Sequence, residues 1–234
     1  MKNWYKSVDK KLLPKVHKLK GFEYTGIKSS PFFLLLSGRS GLGKTNALID
    51  LLHRQNGSYD KVILCCMSFA SDPLYMQMKK KNPAQMDVYE KQVPSPDDYI
   101  NQKGNKIFIC DDMVGRKEFA KQINDWFVRG RKSGSSMVYI TQSYFDVDRL
   151  VRRSLSNMFL FPSSNQRELS MILRDFPFLE DHEDIVNEYK RITKGDDPSD
   201  FMNVNVQQGT VCINFDAYKD PSDKETKKKS DKDE

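Results

Sequence analysis

One eight-residue stretch constrains this chain more than any other: Gly38-Arg39-Ser40-Gly41-Leu42-Gly43-Lys44-Thr45. Before it, Pro31–Ser37 is a continuous apolar run of strand length. After it, Asn46–Arg54 sets Ala47, Leu48, Leu51 and Leu52 at helical spacing. A strand therefore turns straight into a helix across three glycines. Glycine lets successive backbone N–H groups face inward with no Cβ in the way. A helix starting near Lys44 adds its unpaired N–H groups and the positive end of its dipole to the same spot. The spacing G-x-x-x-x-G-K-[ST], with a strand before it and a helix after it, is that of a loop which cradles phosphates. Residues 38–46, Asn46 included, are the expected ATP cradle. Lys44 is expected to reach the β- and γ-phosphates, and the Thr45 hydroxyl to ligate Mg²⁺. The bland alternative is a glycine-rich strand–helix turn that only permits close packing, and the strand before and the helix after weigh against it.

The rest of the chain repeats the strand–helix alternation. Lys61–Phe69, Lys106–Cys110, Met137–Thr141 and Met158–Phe161 read as buried strands, and Lys117–Arg129 and Asn165–Leu173 as helices. Continuous apolar strands separated by helices predict an α/β fold with a mainly parallel sheet covered on both faces. Phe201–Phe215 alternates instead, around Gln208-Gly209, which predicts an appended C-terminal β-hairpin. The expected domains are a basic arm (1–30), a nucleotide-binding domain (31–216) and a disordered charged tail (217–234).

Two further polar clusters end strands. Ile107-Phe108-Ile109-Cys110-Asp111-Asp112 puts two carboxylates at the carboxyl end of a strand, where ligands sit in open α/β sheets. Asp111 is the expected Mg²⁺ partner, through water, and Asp112 the group that orients or deprotonates the attacking water. The same pair is also a common loop start and helix cap. Thr141-Gln142-Ser143 follows the fourth strand, and the Gln142 amide can both donate to and accept from a water or a γ-phosphate. Arg129 and Arg131, in Arg129-Gly130-Arg131-Lys132, are candidates for an arginine that reaches a neighbouring subunit's γ-phosphate. Basic clusters of this kind are also ordinary solvated surface or nucleic-acid contacts. Tyr144 and Phe145, beside Arg149, Arg152 and Arg153, read either as a base-stacking platform or as packing at a helix end.

Composition removes several classes. The 234 residues hold 12 Gly, 10 Pro and 4 Cys, which excludes collagen-like and disulfide-scaffold chains. Cys65, Cys66, Cys110 and Cys212 lie in apolar runs without CxxC spacing, so buried thiols are expected rather than a zinc or disulfide framework. The longest apolar run, Phe32 to Leu36, is too short to span a bilayer. No apolar stretch follows the basic N-terminus, so no secretory signal is expected. The three histidines suggest no transition-metal site. The net charge of +6 belongs to one segment: residues 1–20 carry seven Lys and one Asp. Residues 217–234 balance six bases with six acids, which leaves 21–216 with 25 of each.

Taken together, LLLSGRSGLGKT, KIFICDDM, RGRKSGSSMVYITQSYF and RLVRRSLSNMFLF resemble the packaging ATPases of large double-stranded DNA viruses. These form the poxvirus-type branch of the FtsK–HerA superfamily of P-loop NTPases, found also in virophages and Polinton-like elements. The resemblance runs from about Pro31 to Phe161. The phosphate loop is widespread, whereas the Gln-Ser-Tyr-Phe stretch after Arg-Gly-Arg is narrow. The resemblance implies a homo-oligomeric ring that hydrolyses ATP, with Mg²⁺, to move double-stranded DNA into a viral capsid through a capsid or portal vertex. It implies work at a viral assembly site in the host-cell cytoplasm or in the virion, with no secretion. It also implies nucleotide-loop roles for Lys44 and Thr45, metal and base roles for Asp111 and Asp112, and a sensor role for Gln142. Arg129 and Arg131 match the region of the superfamily's arginine finger. One departure is Asp112, where the superfamily commonly has the longer Glu. A nucleotide-dependent capsid assembly factor without translocation is the alternative, and a small-molecule kinase a third reading that lacks a lid or acceptor motif.

Overall fold

The computed structural model describes residues 7–9, 16–113, 117–163, 166–176, 183–195 and 197–218. The tail expected from residue 217 lies outside the described residues from Lys219 onward, as do residues 1–6 and 10–15 of the basic arm.

Residues 16–30 form a small antiparallel pair, β1 (His17–Lys18) and β2 (Ser29–Ser30), around the short helix α1 (Phe22–Thr25). Leu19 and Ile27 of this segment are buried in the main core. The central layer follows as β3 (Phe33–Ser37), α2 (Lys44–Arg54), β4 (Lys61–Cys66), α3 (Pro73–Lys81) and β5 (Met86–Glu90). After these come α4 (Asp97–Ile100), β6 (Lys106–Asp111), α5 (Lys117–Arg129) and β7 (Ser135–Thr141). A 3₁₀ turn (Tyr144–Asp146), α6 (Arg149–Ser154), β8 (Asn157–Leu160), α7 (Gln166–Asp175), α8 (Glu183–Lys194), β9 (Met202–Asn205) and β10 (Thr210–Ile213) complete it.

The eight-stranded sheet has the order β10-β9-β8-β3-β7-β6-β4-β5. From β8 to β5 all pairs are parallel, and β9 and β10 extend the sheet as an antiparallel hairpin. The alternating side chains of each strand go to opposite faces. Phe33, Leu35, Phe108, Cys110, Met137 and Tyr139 face α5, α7 and α8; Leu34, Leu36, Ile107, Ile109, Val138 and Ile140 face α2 and α3. Both faces are covered, which is why the strands read as unbroken apolar runs. The expected α/β architecture, a mainly parallel sheet flanked by helices with a C-terminal hairpin, is that of this chain. Cys65, Cys66 and Cys110 are buried free thiols, and Cys212 is a half-buried one. No helix among the described residues is long and apolar enough to cross a membrane.

Helix α5 anchors one face. Ile123, Trp126 and Phe127 form its apolar stripe at i, i+3 and i+4. Trp126 is fully buried, stacked on Phe108 with ring centroids 4.3 Å apart, and its indole N–H donates to the Pro94 carbonyl at 2.8 Å. Trp126→Ala is expected to cost about 3–5 kcal/mol in denaturant unfolding, through the cavity and the orphaned carbonyl. A loss below about 1 kcal/mol would contradict this packing.

Candidate functional site

Three strands build the site by ending level with one another. β7 lies between β3 and β6, with Ser37 opposite Thr141 and Asp111 opposite Ile140. What leaves β3 (the phosphate loop), β6 (Asp111-Asp112) and β7 (Thr141-Gln142) therefore emerges at one edge of the sheet. The loop is tied to this edge by the Gly38 N–H, which donates to the Thr141 carbonyl at 3.3 Å. The resulting cleft, of about 460 Å³, is lined by Ser40, Gly41, Gly43, Lys44, Thr45, Asn46, Asp111, Asp112 and Gln142.

Local geometry explains the glycines. A Cβ at Gly38 would overlap the Cβ of Phe161 in the neighbouring strand end, so only glycine admits this approach. Gly41 and Gly43 hold φ of 82° and 81°, and Gly43 is the N-cap of α2. Leu42 turns inward and packs on the core, while Arg39 stays exposed. The Lys44 ammonium donates to the Gly38 and Arg39 carbonyls at 2.7 and 2.8 Å. Burial lowers its pKa below the ordinary lysine value, against the opposing pull of Asp111 and Asp112.

The two aspartates differ. Asp111 is largely enclosed and accepts from the Tyr75 hydroxyl at 2.7 Å. Burial pushes its carboxyl up to about 6; the nearby Asp112 and Asp72 carboxylates push the same way, while the Tyr75 hydroxyl and Lys44 pull it down. Asp112 is exposed, sits at φ 53°, and accepts from the Gln142 amide at 3.1 Å. Asp and Asn are the non-glycine residues that best tolerate this left-handed backbone. That tolerance gives a physical reason for Asp rather than Glu at this position.

Three positioning residues escaped the sequence reading. Asp72 caps α3 by accepting from the Leu74 and Tyr75 N–H groups, and so presents Tyr75 to Asp111. Its signal was available, because Asp-Pro is a cap followed by proline at the first helical position. Glu168 of α7, almost fully buried, accepts from the Ser143 hydroxyl at 2.5 Å and the Tyr144 N–H at 2.9 Å. It thereby fixes the turn that carries Gln142. A lone glutamate in a polar helix gave no such signal.

The arginines do not join this constellation within one chain. Arg129 and Arg131 precede β7, at the opposite edge of the sheet, one seven-residue strand or about 20 Å away. Arg129 is paired with Asp97 and, at 3.7 Å, with Asp125. Arg131 is exposed and makes no ion pair among the described residues. Tyr144 is buried and donates to Asp175, with the Arg152 guanidinium 5.2 Å from its ring centroid. Its role is core packing, the second of the two readings.

Among the described residues no group of three or more His, Cys, Asp or Glu side chains could hold a metal ion. A divalent ion here needs oxygen ligands from a hydroxyl, phosphates and water. That is the habit of Mg²⁺, which keeps several waters and one or two protein ligands. Thr45 in the cleft and the poorly solvated Asp111 carboxylate fit that donor set.

No protein-family model matches the sequence, and no curated protein matches it. Solved structures do match. The DNA-packaging ATPase B204 of Sulfolobus turreted icosahedral virus superposes with a TM-score of 0.58 at 15% identity, over 79% of this chain and 97% of that one. The genome packaging NTPase B204 of Sulfolobus turreted icosahedral virus 2, in complex with AMPPCP, gives 0.57 at 15%, over 78% and 96%. ATPases 2 and 3 of EssC from Geobacillus thermodenitrificans give 0.51 at 9%, over 79% of this chain and 39% of that one. At these identities the likeness establishes a shared fold.

The raised carboxyl of Asp111 has a consequence for stability. Its proton is held more tightly in the folded state, so its contribution is fully present below the unfolded pKa and is lost as pH rises through about 6. Asp111→Asn is therefore expected to raise the melting temperature of the nucleotide-free protein at pH 7.5, by on the order of 2–3 kcal/mol of stability. The gain should shrink as pH falls from 6 towards 4. Equal stability of the two proteins at pH 7.5 would contradict the desolvated carboxylate.

Proposed function

We propose that this protein is an ATP-hydrolysing motor that moves double-stranded DNA into a viral capsid. The observation that carries the reading is the cleft. Phosphate loop, paired carboxylates and Gln142 converge at one sheet edge, in a fold shared with B204, itself described as a DNA-packaging ATPase, over nearly all of B204's length. The reading places the protein at a viral assembly site in the host-cell cytoplasm or in the virion, acting as a homo-oligomeric ring at the capsid or portal vertex.

The chemistry follows from the side chains. Backbone N–H groups of residues 38–46 face the triphosphate, and Lys44 exchanges the Gly38 and Arg39 carbonyls for β- and γ-phosphate oxygens. Thr45, and Asp111 through water, would hold Mg²⁺, which when bound neutralises charge on the phosphate oxygens. Tyr75 and Asp72 keep Asp111 aimed into the cleft. Asp112 accepts the proton of the attacking water. The Gln142 Nε2 donates to Asp112 Oδ1, which leaves the amide oxygen to accept from the same water. Arg131, exposed and without an ion pair among the described residues, is better suited than the doubly paired Arg129 to reach a neighbouring subunit's γ-phosphate.

Duplex DNA is expected to stimulate ATP hydrolysis by the assembled protein. Lys44→Ala should abolish turnover, while Asp112→Asn should retain nucleotide and lose at least about 10²-fold in rate. A rate indifferent to duplex DNA in an assembled ring would contradict translocation and favour a nucleotide-dependent capsid assembly factor. Mixing Arg131→Ala subunits with Lys44→Ala subunits should restore part of the activity, because intact sites form at mixed interfaces. No rescue at any ratio in rings shown to be mixed would exclude Arg131 as the residue acting across the interface.

A further inference from the structure

A cavity of about 480 Å³ opens at the edge of the sheet opposite the phosphate cleft. Its walls come from the segment leading into β3, from the start of β8 and from the turn between β9 and β10, with Arg131 ahead of β7. Register brings them together: Leu34, Asn157 and Asn205 stand level across β3, β8 and β9.

The chemistry of these walls is one-sided. Lys28 and Arg131 supply two cations, and Asn157, Asn205, Gln207 and Gln208 supply four carboxamides. No carboxylate lines the cavity among the described residues. Several donors are left over once the fold is satisfied. Asn157 is 5% exposed; its Oδ1 accepts from the Ser156 hydroxyl at 3.0 Å, and its Nδ2 donates to no described residue. An amide donor this deep needs an acceptor, and the cavity is where one can sit. The facing turn is pinned, because Asn205 Oδ1 accepts from the Gln208 N–H at 3.0 Å and Gln208 Oε1 accepts from Asn205 Nδ2 at 3.3 Å. That leaves the Gln208 Nε2 to donate elsewhere. Lys28 and Arg131 form no ion pair among the described residues.

Cations and amide donors with no competing carboxylate suit the oxygens of a phosphate. Two observations favour a polynucleotide over an isolated phosphate. Val16 lines the cavity and follows directly on residues 1–15, which carry five Lys and one Asp. The excess positive charge of the chain is thus joined to this edge, and a run of cations is matched by a run of phosphates. The only aromatic residue in the lining among the described residues, Phe32, is buried, so no ring is offered for a base to stack on. Contact is then with the backbone and independent of sequence, as a motor that moves any duplex requires. We propose that this cavity holds a backbone phosphate of duplex DNA, at the edge of the subunit away from the nucleotide. The proposal rests on the DNA reading above and adds to it where the duplex is held.

The test is a titration of a labelled duplex of about 30 base pairs, followed by fluorescence anisotropy over a range of salt, on the assembled wild type, Lys28→Glu, Gln208→Glu and Lys80→Glu. All three positions are exposed, and Lys80, on α3, does not line the cavity. Arg131 is kept, because its proposed reach to a neighbouring γ-phosphate would alter turnover by itself. The expected result is duplex held at least about tenfold more weakly by Lys28→Glu and by Gln208→Glu, with Lys80→Glu within about threefold and the salt slope lowered by about one in Lys28→Glu. ADP affinity with Mg²⁺ should stay within about twofold, and either cavity variant that keeps it carries the test. Duplex affinity unchanged in the cavity variants, or lowered equally in all three, would overturn the site. So would inorganic phosphate that binds the ADP-saturated wild type and is lost in Gln208→Glu while duplex affinity stays the same, since that marks a small-anion pocket. A wild type that binds no duplex at low salt would overturn the DNA reading itself.

Discussion

The parallel pairing of β7 between β3 and β6 is the constraint on which the rest depends. Its register sets Ser37 beside Thr141 and Ile140 beside Asp111, so three connections separated by up to about a hundred residues leave the sheet at the same level. Neither the phosphate loop nor the carboxylates could act alone. The loop supplies N–H groups and one ammonium but no base; Asp111 and Asp112 supply acids but no anion cradle. A one-residue slip of β7 would turn Thr141 to the opposite face and carry Gln142 away from Asp112. Core packing on both faces, through Phe108, Trp126 and Leu36, holds that register and so holds the geometry of the cleft.

Most of this was legible where burial is deep. A strand covered on both faces is largely apolar, and the expected Pro31–Ser37, Lys106–Cys110 and Met137–Thr141 fall within two residues of β3, β6 and β7; the buried Ser135 and Ser136 that open β7 carry no apolar signal. Helix α5 runs over the expected 117–129, because its stripe is wide and regular. Elements that bury little were not legible. β5 is an edge strand, Met-Asp-Val-Tyr-Glu, half solvated and with two acids. In α3 only Tyr75 is buried, so no apolar stripe announced the helix, and only the Asp72-Pro73 cap marked its start. The motifs placed Lys44, Thr45, Asp111, Asp112 and Gln142 around one cleft. They did not reveal that Asp111 is aimed by Tyr75 or that the Gln142 turn is pinned by Glu168, since both are tertiary contacts between distant segments. Charge and aromatic clustering were the weakest guides: Tyr144 is core, and Arg129 is bound up in its own ion pairs.

Electrostatics gives the cleft its character. Two carboxylates, Asp112 and Asp72, act on the buried Asp111 carboxyl, with the Tyr75 hydroxyl and the Lys44 cation opposing them. This is an unfavourable arrangement for an empty fold and a favourable one for a site that receives a divalent cation with its phosphates. The net positive charge of the whole chain is not a property of the segment that builds the cleft, because residues 21–216 are formally neutral and the excess lies in residues 1–20.

The central claim is that the loop, Asp112 and Gln142 form one hydrolytic centre. A crystal structure with Mg²⁺, ADP and aluminium fluoride tests it most directly. The account predicts the fluoride group beside Lys44, with a water in line and within about 3 Å of both Asp112 and Gln142. A nucleotide seated away from residues 38–46, or a fluoride group with Asp112 and Gln142 turned away from its water, would contradict it.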